Sequence, residues 1–100
     1  MKVVWSNRAV RHLTAVRDHI DKENPKASQE IAVRILEGTE LLVEHPSLGR
    51  PGRIVGTREL IIAGTPYLVP YRVRGDRLEL LALFHGRQKW PKYFPDRHNA

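Results

Sequence analysis

Gly75-Asp76 lies between two runs rich in β-branched and aromatic residues, Tyr67 to Arg74 and Arg77 to Phe84, and this pattern constrains the chain more than any other part of it. A two-residue loop that opens on glycine joins antiparallel strands and fixes their register. Arg74 then pairs with Arg77, Val73 with Leu78, Arg72 with Glu79 and Tyr71 with Leu80. Side chains alternate along a strand, so one face receives Tyr67, Val69, Tyr71, Val73, Leu78, Leu80, Ala82 and Phe84. That face is apolar and needs a covering layer. The opposite face receives Arg72, Arg74, Arg77, Glu79 and, where the strand continues, His85, mixed with Leu68, Pro70, Leu81 and Leu83. Pro70 cannot donate to a ladder, so its strand is an edge there or meets a bulge.

The covering layer is legible upstream. Val3-Val4-Trp5 reads as a short strand, and Ser6 can cap a helix because its hydroxyl accepts an otherwise unpaired amide. Val10, Leu13, Val16 and Ile20 follow at helical spacing. Asn24-Pro25 stops that helix and starts another, with Asn24 as cap and Pro25 in the first turn, where its missing amide costs nothing. Ile31, Ile35, Leu36, Leu42 and Val43 form the second stripe. A link this short makes the two helices an antiparallel hairpin. From His45 to Arg53 two prolines and two glycines predict an irregular loop, and Arg58 to Ala63 reads as a further strand. The predicted fold is α+β, in the order β-α-α-β-β-β: one domain over 1–100 with an N-terminal helical hairpin on a small, mainly antiparallel sheet. The tail from about residue 88 is expected to be flexible.

The chain's 100 residues include no cysteine, which excludes a disulfide framework, a thiol nucleophile and a thiolate metal site and suits a cytoplasmic setting. The N-terminus has no apolar leader, and the longest apolar run, Leu80 to Phe84, is far short of the roughly 20 residues of a bilayer span. Residues 1–49 carry seven basic and seven acidic side chains, whereas residues 50–100 carry ten basic and four acidic ones, so the whole formal charge of +6 lies in the second half. Such an excess fits a solvated basic surface or a polyanionic partner.

Several side chains there could do chemistry. His85 titrates near neutrality and stands where a strand runs into Gly86, placed either to move a proton or to cap a strand end. Arg72 could bind phosphate or pair with Glu79 across the strands. Arg50, Arg53 and Arg58 bracket the glycine loop and could converge on a phosphodiester or keep the loop soluble. Lys89, Trp90 and Tyr93 belong to a tail that interleaves bases with aromatics. That composition suits stacking on unpaired bases, or folding back of Trp90 and Phe94 to finish a small core. The five histidines show no metal-ligand spacing, and no nucleophile elbow is present.

These pieces together resemble a known family. Asn24-Pro25, His45-Pro46 through Gly49-Arg50-Pro51-Gly52, Gly56-Thr57-Arg58-Glu59-Leu60, Pro66-Tyr67 to Tyr71-Arg72-Val73, His85-Gly86-Arg87 and Trp90-Pro91, in this order, look like the RelE/ParE superfamily of toxins from bacterial type II toxin-antitoxin modules, which include plasmid-stabilisation systems. The resemblance implies a growth-arresting protein whose antitoxin, encoded beside it, wraps it with a helical and an extended segment. RelE-like members cleave messenger RNA on the ribosome without metal, and ParE-like members poison DNA gyrase without cutting RNA. The first reading makes the chain an endoribonuclease with His85, Arg72, Arg87 and Arg58 as catalytic candidates. Arg50, Arg53, Lys89, Trp90 and Tyr93 would then bind RNA, with no metal or cofactor. The second makes the same basic face and aromatic tail a docking surface for gyrase. In either case an acidic or amphipathic antitoxin is expected to cover the positive face.

Overall fold

The computed structural model describes residues 1–95. β1 (Lys2–Trp5) is followed by α1 (Asn7–Asp21), α2 (Pro25–Glu44), β2 (Arg50–Pro51), β3 (Arg58–Ile61), β4 (Tyr67–Arg74), β5 (Arg77–Leu80) and β6 (Phe84–His85). Across the sheet the order is β1-β5-β4-β3-β2, with β6 beside β4. β1 runs parallel to β5, and the other pairings are antiparallel. This is the predicted α+β arrangement, a helical hairpin on a mainly antiparallel sheet.

Both helices start where the sequence places their caps. Ser6 Oγ accepts the Ala9 amide at 3.0 Å, and Asn24 Oδ1 accepts the Ala27 amide at 3.1 Å, with Pro25 opening α2. The inward stripes match the predicted ones at Leu13, Val16, Ile31, Ile35 and Leu42 and depart from them elsewhere. Ala9 is buried in α1 and Val10 is exposed; in α2 the buried positions are Ser28, Ala32, Ile35, Thr39 and Leu42, while Leu36 and Val43 are exposed. Ala9, Ser28 and Ala32 are small residues at buried positions, which a count of large apolar side chains passes over. Ser28 lies at the crossing of the two helices, where its hydroxyl donates to the Arg17 carbonyl at 3.2 Å. The main core joins Ile35 and Leu42 to Leu60, Ile62, Val69, Tyr71, Leu78, Leu80 and Leu83, with Leu13 and Val16 packed against it.

The register of β4 with β5 is the predicted one, from Arg74 with Arg77 to Tyr71 with Leu80. Beyond Leu80 the predicted strand does not continue. Uninterrupted pairing would set Phe84 opposite Tyr67, but Phe84 pairs with Leu68 and His85 with Tyr67, a slip of one residue. The extra residue exchanges the faces: Leu83 enters the main core, whereas Ala82 and Phe84 join a second cluster with Ile54, Leu81 and Phe94. Pro70 is the cause. Its carbonyl accepts the Leu81 amide at 2.9 Å, but it has no N–H to return to the Leu81 carbonyl. Ser6 supplies the missing donor, its hydroxyl reaching the Leu81 carbonyl at 3.0 Å. Val73 also departs from expectation, lying exposed near the tip of the hairpin.

The predicted irregular loop contains a strand of two residues. Arg50 and Pro51 pair with Glu59 and Arg58 at the sheet margin, where a proline without an amide is tolerated. Tyr71 ties this loop down, its hydroxyl donating to the Pro46 carbonyl at 2.7 Å and accepting the Gly49 amide at 2.9 Å. A Cβ at Gly49 would lie 2.6 Å from the Tyr71 ring, so only glycine allows this approach.

Candidate interaction face

Two buried carboxylates organise the sheet face that points away from the helices. Glu59 stands in β3, where Arg50 Nη2 donates to its Oε1 at 3.0 Å and Arg50 Nε to the same oxygen at 3.3 Å. Arg53 adds three bonds: its amide to Oε2 at 2.8 Å, Nε to Oε2 at 3.1 Å and Nη2 to Oε1 at 3.3 Å. Burial pushes the Glu59 carboxyl upward, but the Arg53 amide and the two guanidiniums outweigh it and hold the group below its ordinary value. Glu79, fully buried in β5, receives Arg72 Nε at 2.8 Å and Arg77 Nη2 at 3.4 Å, with Arg74 Nε 3.8 Å away.

The tail closes over this face. Trp90 packs on Phe84 with ring centres 4.7 Å apart, and Phe94 lies 6.4 Å from the same ring. Three arginines from different parts of the fold fasten it. Arg53 stacks over Trp90 at 3.8 Å, Arg8 of α1 lies 5.4 Å from the centre of the Phe94 ring, and Arg72 Nη2 donates to the Pro95 carbonyl at 2.6 Å. Of the two roles the sequence allows for Trp90 and Phe94, covering the sheet is the one observed.

The candidates form three groups rather than one centre. Arg50, Arg53 and Trp90 gather around Glu59. Arg72 is 9% exposed and committed to Glu79 and the tail. His85 and Arg87 lie at the far end of β4, where the His85 Nδ1 accepts the Arg87 amide at 3.1 Å and the His85 ring meets Tyr67 edge-on at 5.8 Å. His85 pairs with Tyr67, five residues from Arg72 along β4, so the two backbones are separated by about 17 Å. Arg58 turns the other way and pins the loop, its Nη1 donating to the Gly49 carbonyl at 2.8 Å. Lys89 and Tyr93 are exposed. Among the described residues no three histidines or carboxylates gather as a metal site would need, and no helix is long and apolar enough to cross a membrane.

Two residues escaped the sequence reading. Glu59 was legible in principle, as an acid set in an apolar strand downstream of Arg50 and Arg53. His12 was not, because nothing local marks it. Its Nδ1 accepts the Leu83 amide at 3.2 Å, filling another backbone gap left by the slip, and its ring lies 5.3 Å from Phe84. Burial, reinforced by the charge of Arg8, holds His12 below its ordinary value of about 6.5. Below about pH 6.5 the unfolded chain takes up a proton that the folded chain refuses, so stability falls as the pH drops, until it levels off at the depressed folded value. Urea midpoints at pH 7.5 and 5.5 are expected to show this decline, and His12→Asn to reduce it; an equal decline in the variant would show that His12 is not its source.

The sequence model of the ParE toxin of type II toxin-antitoxin systems, parDE, matches residues 3–90. Toxin Y4kP of Sinorhizobium fredii (strain NBRC 101917 / NGR234) is 41% identical over 91 residues, covering 91% of this chain and 94% of that protein. Toxin RelE2 of Caulobacter vibrioides (strain ATCC 19089 / CIP 103742 / CB 15) is 34% identical over 84 residues, covering 84% and 93%. A solved chain of the chromosomal ParDE TA system from P. aeruginosa superposes with a TM-score of 0.78 at 27% identity, over 85% of this chain and 95% of that one. With its helical hairpin, its sheet and its loop matched nearly end to end, the chain belongs to the ParE toxin family of type II toxin-antitoxin systems.

Proposed function

We propose that this toxin arrests growth by binding DNA gyrase and cuts no RNA. The observation that carries this reading is the state of Arg72. An arginine that stabilises a reacting phosphate needs donors aimed at open space, whereas Arg72 is buried, bound to Glu79 and to the Pro95 carbonyl beneath the tail. His85, the candidate proton carrier, pairs with Tyr67 and is too far along β4 to share a phosphate with Arg72. Purified toxin is expected to block gyrase supercoiling while leaving messenger RNA intact in a translating extract. Ribosome-dependent cleavage with unaffected supercoiling would reverse the assignment. That second reading has its own support, since His85 and Arg87 sit together at the rim and one relative is named Toxin RelE2. His85→Ala separates the two, abolishing growth arrest if RNA is cut and sparing it if gyrase is bound.

The partner in this reading is an antitoxin, and its seat is the groove between α2 and β3. Leu41, Leu48 and Ile61 are exposed there around a cavity of about 310 Å³ floored by Leu60 and Ile62. β2 begins at Arg50, opposite Glu59, so it covers β3 no farther than Glu59, and strand alternation then turns the Ile61 amide and carbonyl to the open edge. An extended apolar segment can add there as a further strand. Arg34 and Glu37 also line the groove, but Ile61 belongs to its apolar part, so Ile61→Glu is expected to weaken antitoxin binding at least tenfold in a calorimetric titration while leaving growth arrest intact. Unchanged affinity would place the antitoxin elsewhere.

A further inference from the structure

We propose that the face organised by Glu59 and Glu79 is a cradle for the phosphate backbone of duplex DNA, and that the two carboxylates are positioning residues that hold its arginines ready. The inference rests on the reading of this toxin as one that acts at gyrase, whose substrate is duplex DNA. It adds a direct contact between toxin and nucleic acid.

The first support is the stoichiometry of charge. Glu59 serves two arginines, Arg50 and Arg53, so among the described residues that cluster keeps a positive charge in excess, and Glu79 holds Arg72, Arg74 and Arg77. The side chains of Arg50, Arg53 and Arg77 remain 52%, 43% and 48% exposed, whereas both carboxylates are buried. Arg50 and Arg53 use the Nε and Nη2 edge of the guanidinium on Glu59, which by covalent geometry turns Nη1 away from it. A guanidinium held in this way has lost its rotamer freedom before a phosphate arrives, and its planar fork fits phosphate oxygens. Arg53 is further fixed in plane by the Trp90 ring beneath it.

The second support is spacing. β3 and β5 flank β4, and Glu59 is opposite Pro70 while Glu79 is opposite Arg72. Two strand separations and a two-residue offset set the clusters roughly 12 Å apart, the scale of the about 12 Å groove whose walls are the two phosphate strands of B-DNA.

The third support distinguishes duplex from single strand. Proteins that hold single-stranded nucleic acid stack bases on exposed aromatic rings. Here Trp90 and Phe94 are turned down onto Phe84, which leaves Tyr93 as the exposed ring of the described tail beside the half-exposed guanidiniums of Arg50, Arg53 and Arg77. Such a surface reads the backbone and leaves paired bases untouched.

Fluorescence anisotropy of a labelled 25-base-pair duplex, with purified toxin and no gyrase, tests this. Binding is expected, with log K falling against log salt at a slope near −3 for about three phosphate contacts. Arg50→Ala and Arg77→Ala are each expected to shallow that slope by about one. The exposed, charge-conserving variants Arg50→Lys and Arg77→Lys test positioning without endangering the fold, and each is expected to weaken binding several-fold. Glu59→Gln is expected to weaken binding although it removes a negative charge; stronger binding by this variant, or full affinity in the lysine variants, would reduce the face to unspecific net charge. No duplex binding, or tighter binding to single-stranded RNA of equal length, overturns the proposal. The two failures are distinguishable: a toxin that blocks supercoiling without binding bare duplex refutes the cradle alone, and one that binds duplex but spares gyrase refutes the gyrase reading alone.

Discussion

Glu79→Ala is expected to cost about 3–5 kcal/mol of folding stability, because it leaves the charge of Arg72 buried without its carboxylate. Arg72 is 9% exposed and Glu79 fully buried, so solvent cannot take over the lost interaction. Arg77 and Arg74 add further positive charge around the same vacancy. For a domain whose total stability is on the order of 5–15 kcal/mol, this is a large fraction. Urea denaturation followed by far-ultraviolet circular dichroism measures it directly. The double variant Glu79→Leu with Arg72→Leu is expected to recover most of the loss, since removing both charges leaves neither unpaired. A single-variant cost below about 1 kcal/mol would mean that water reaches the pair.

Phe84→Ala is expected to cost about 3–5 kcal/mol and to detach the tail. Phe84 is 3% exposed, and its ring touches His12 on one side and Trp90 and Phe94 on the other. Its loss opens a cavity at the point where helix, sheet and tail meet. Limited proteolysis supplies the second readout: cleavage near Lys89 and Lys92 should accelerate far more than the global destabilisation alone would bring. If those sites stay as protected as in the parent, the tail is held by its arginines and not by this ring.

The hairpin, its register and both helix starts were legible because each rests on local chemistry: a glycine loop, a hydroxyl cap, an asparagine with proline. The slip after Leu80 was half legible. Pro70 announced that the ladder must fail near it, but nothing near Pro70 says that Ser6, far away in sequence, would accept the role of donor, or that Leu83 would thereby change faces. The stripes of the helices held at Leu13, Val16, Ile31, Ile35 and Leu42 and missed at Val10, Leu36 and Val43. Periodicity counts large apolar residues and so passes over the small buried ones, Ala9, Ser28 and Ala32. Among the candidate residues, the pairing of Arg72 with Glu79 followed from register, and the fold-back of Trp90 and Phe94 was one of two open readings. The grip of Glu59 on Arg50 and Arg53 required the path of a loop that no pattern encodes.

Because β1 runs parallel to β5, the first strand of the chain finds its partner only among residues 77–80. Helix and hairpin contacts are available early, but this pairing closes a loop of most of the chain's length and is slow on that account. During synthesis the amino-terminal strand must therefore wait, its edge unsatisfied, until residues 77–80 have emerged. Ser6 gives that wait a single end point, since its backbone amide reaches the Leu80 carbonyl and its hydroxyl the Leu81 carbonyl in the same step. A cell making this protein thus has an interval, set by translation, in which an antitoxin already present can meet the nascent chain before the poison is complete.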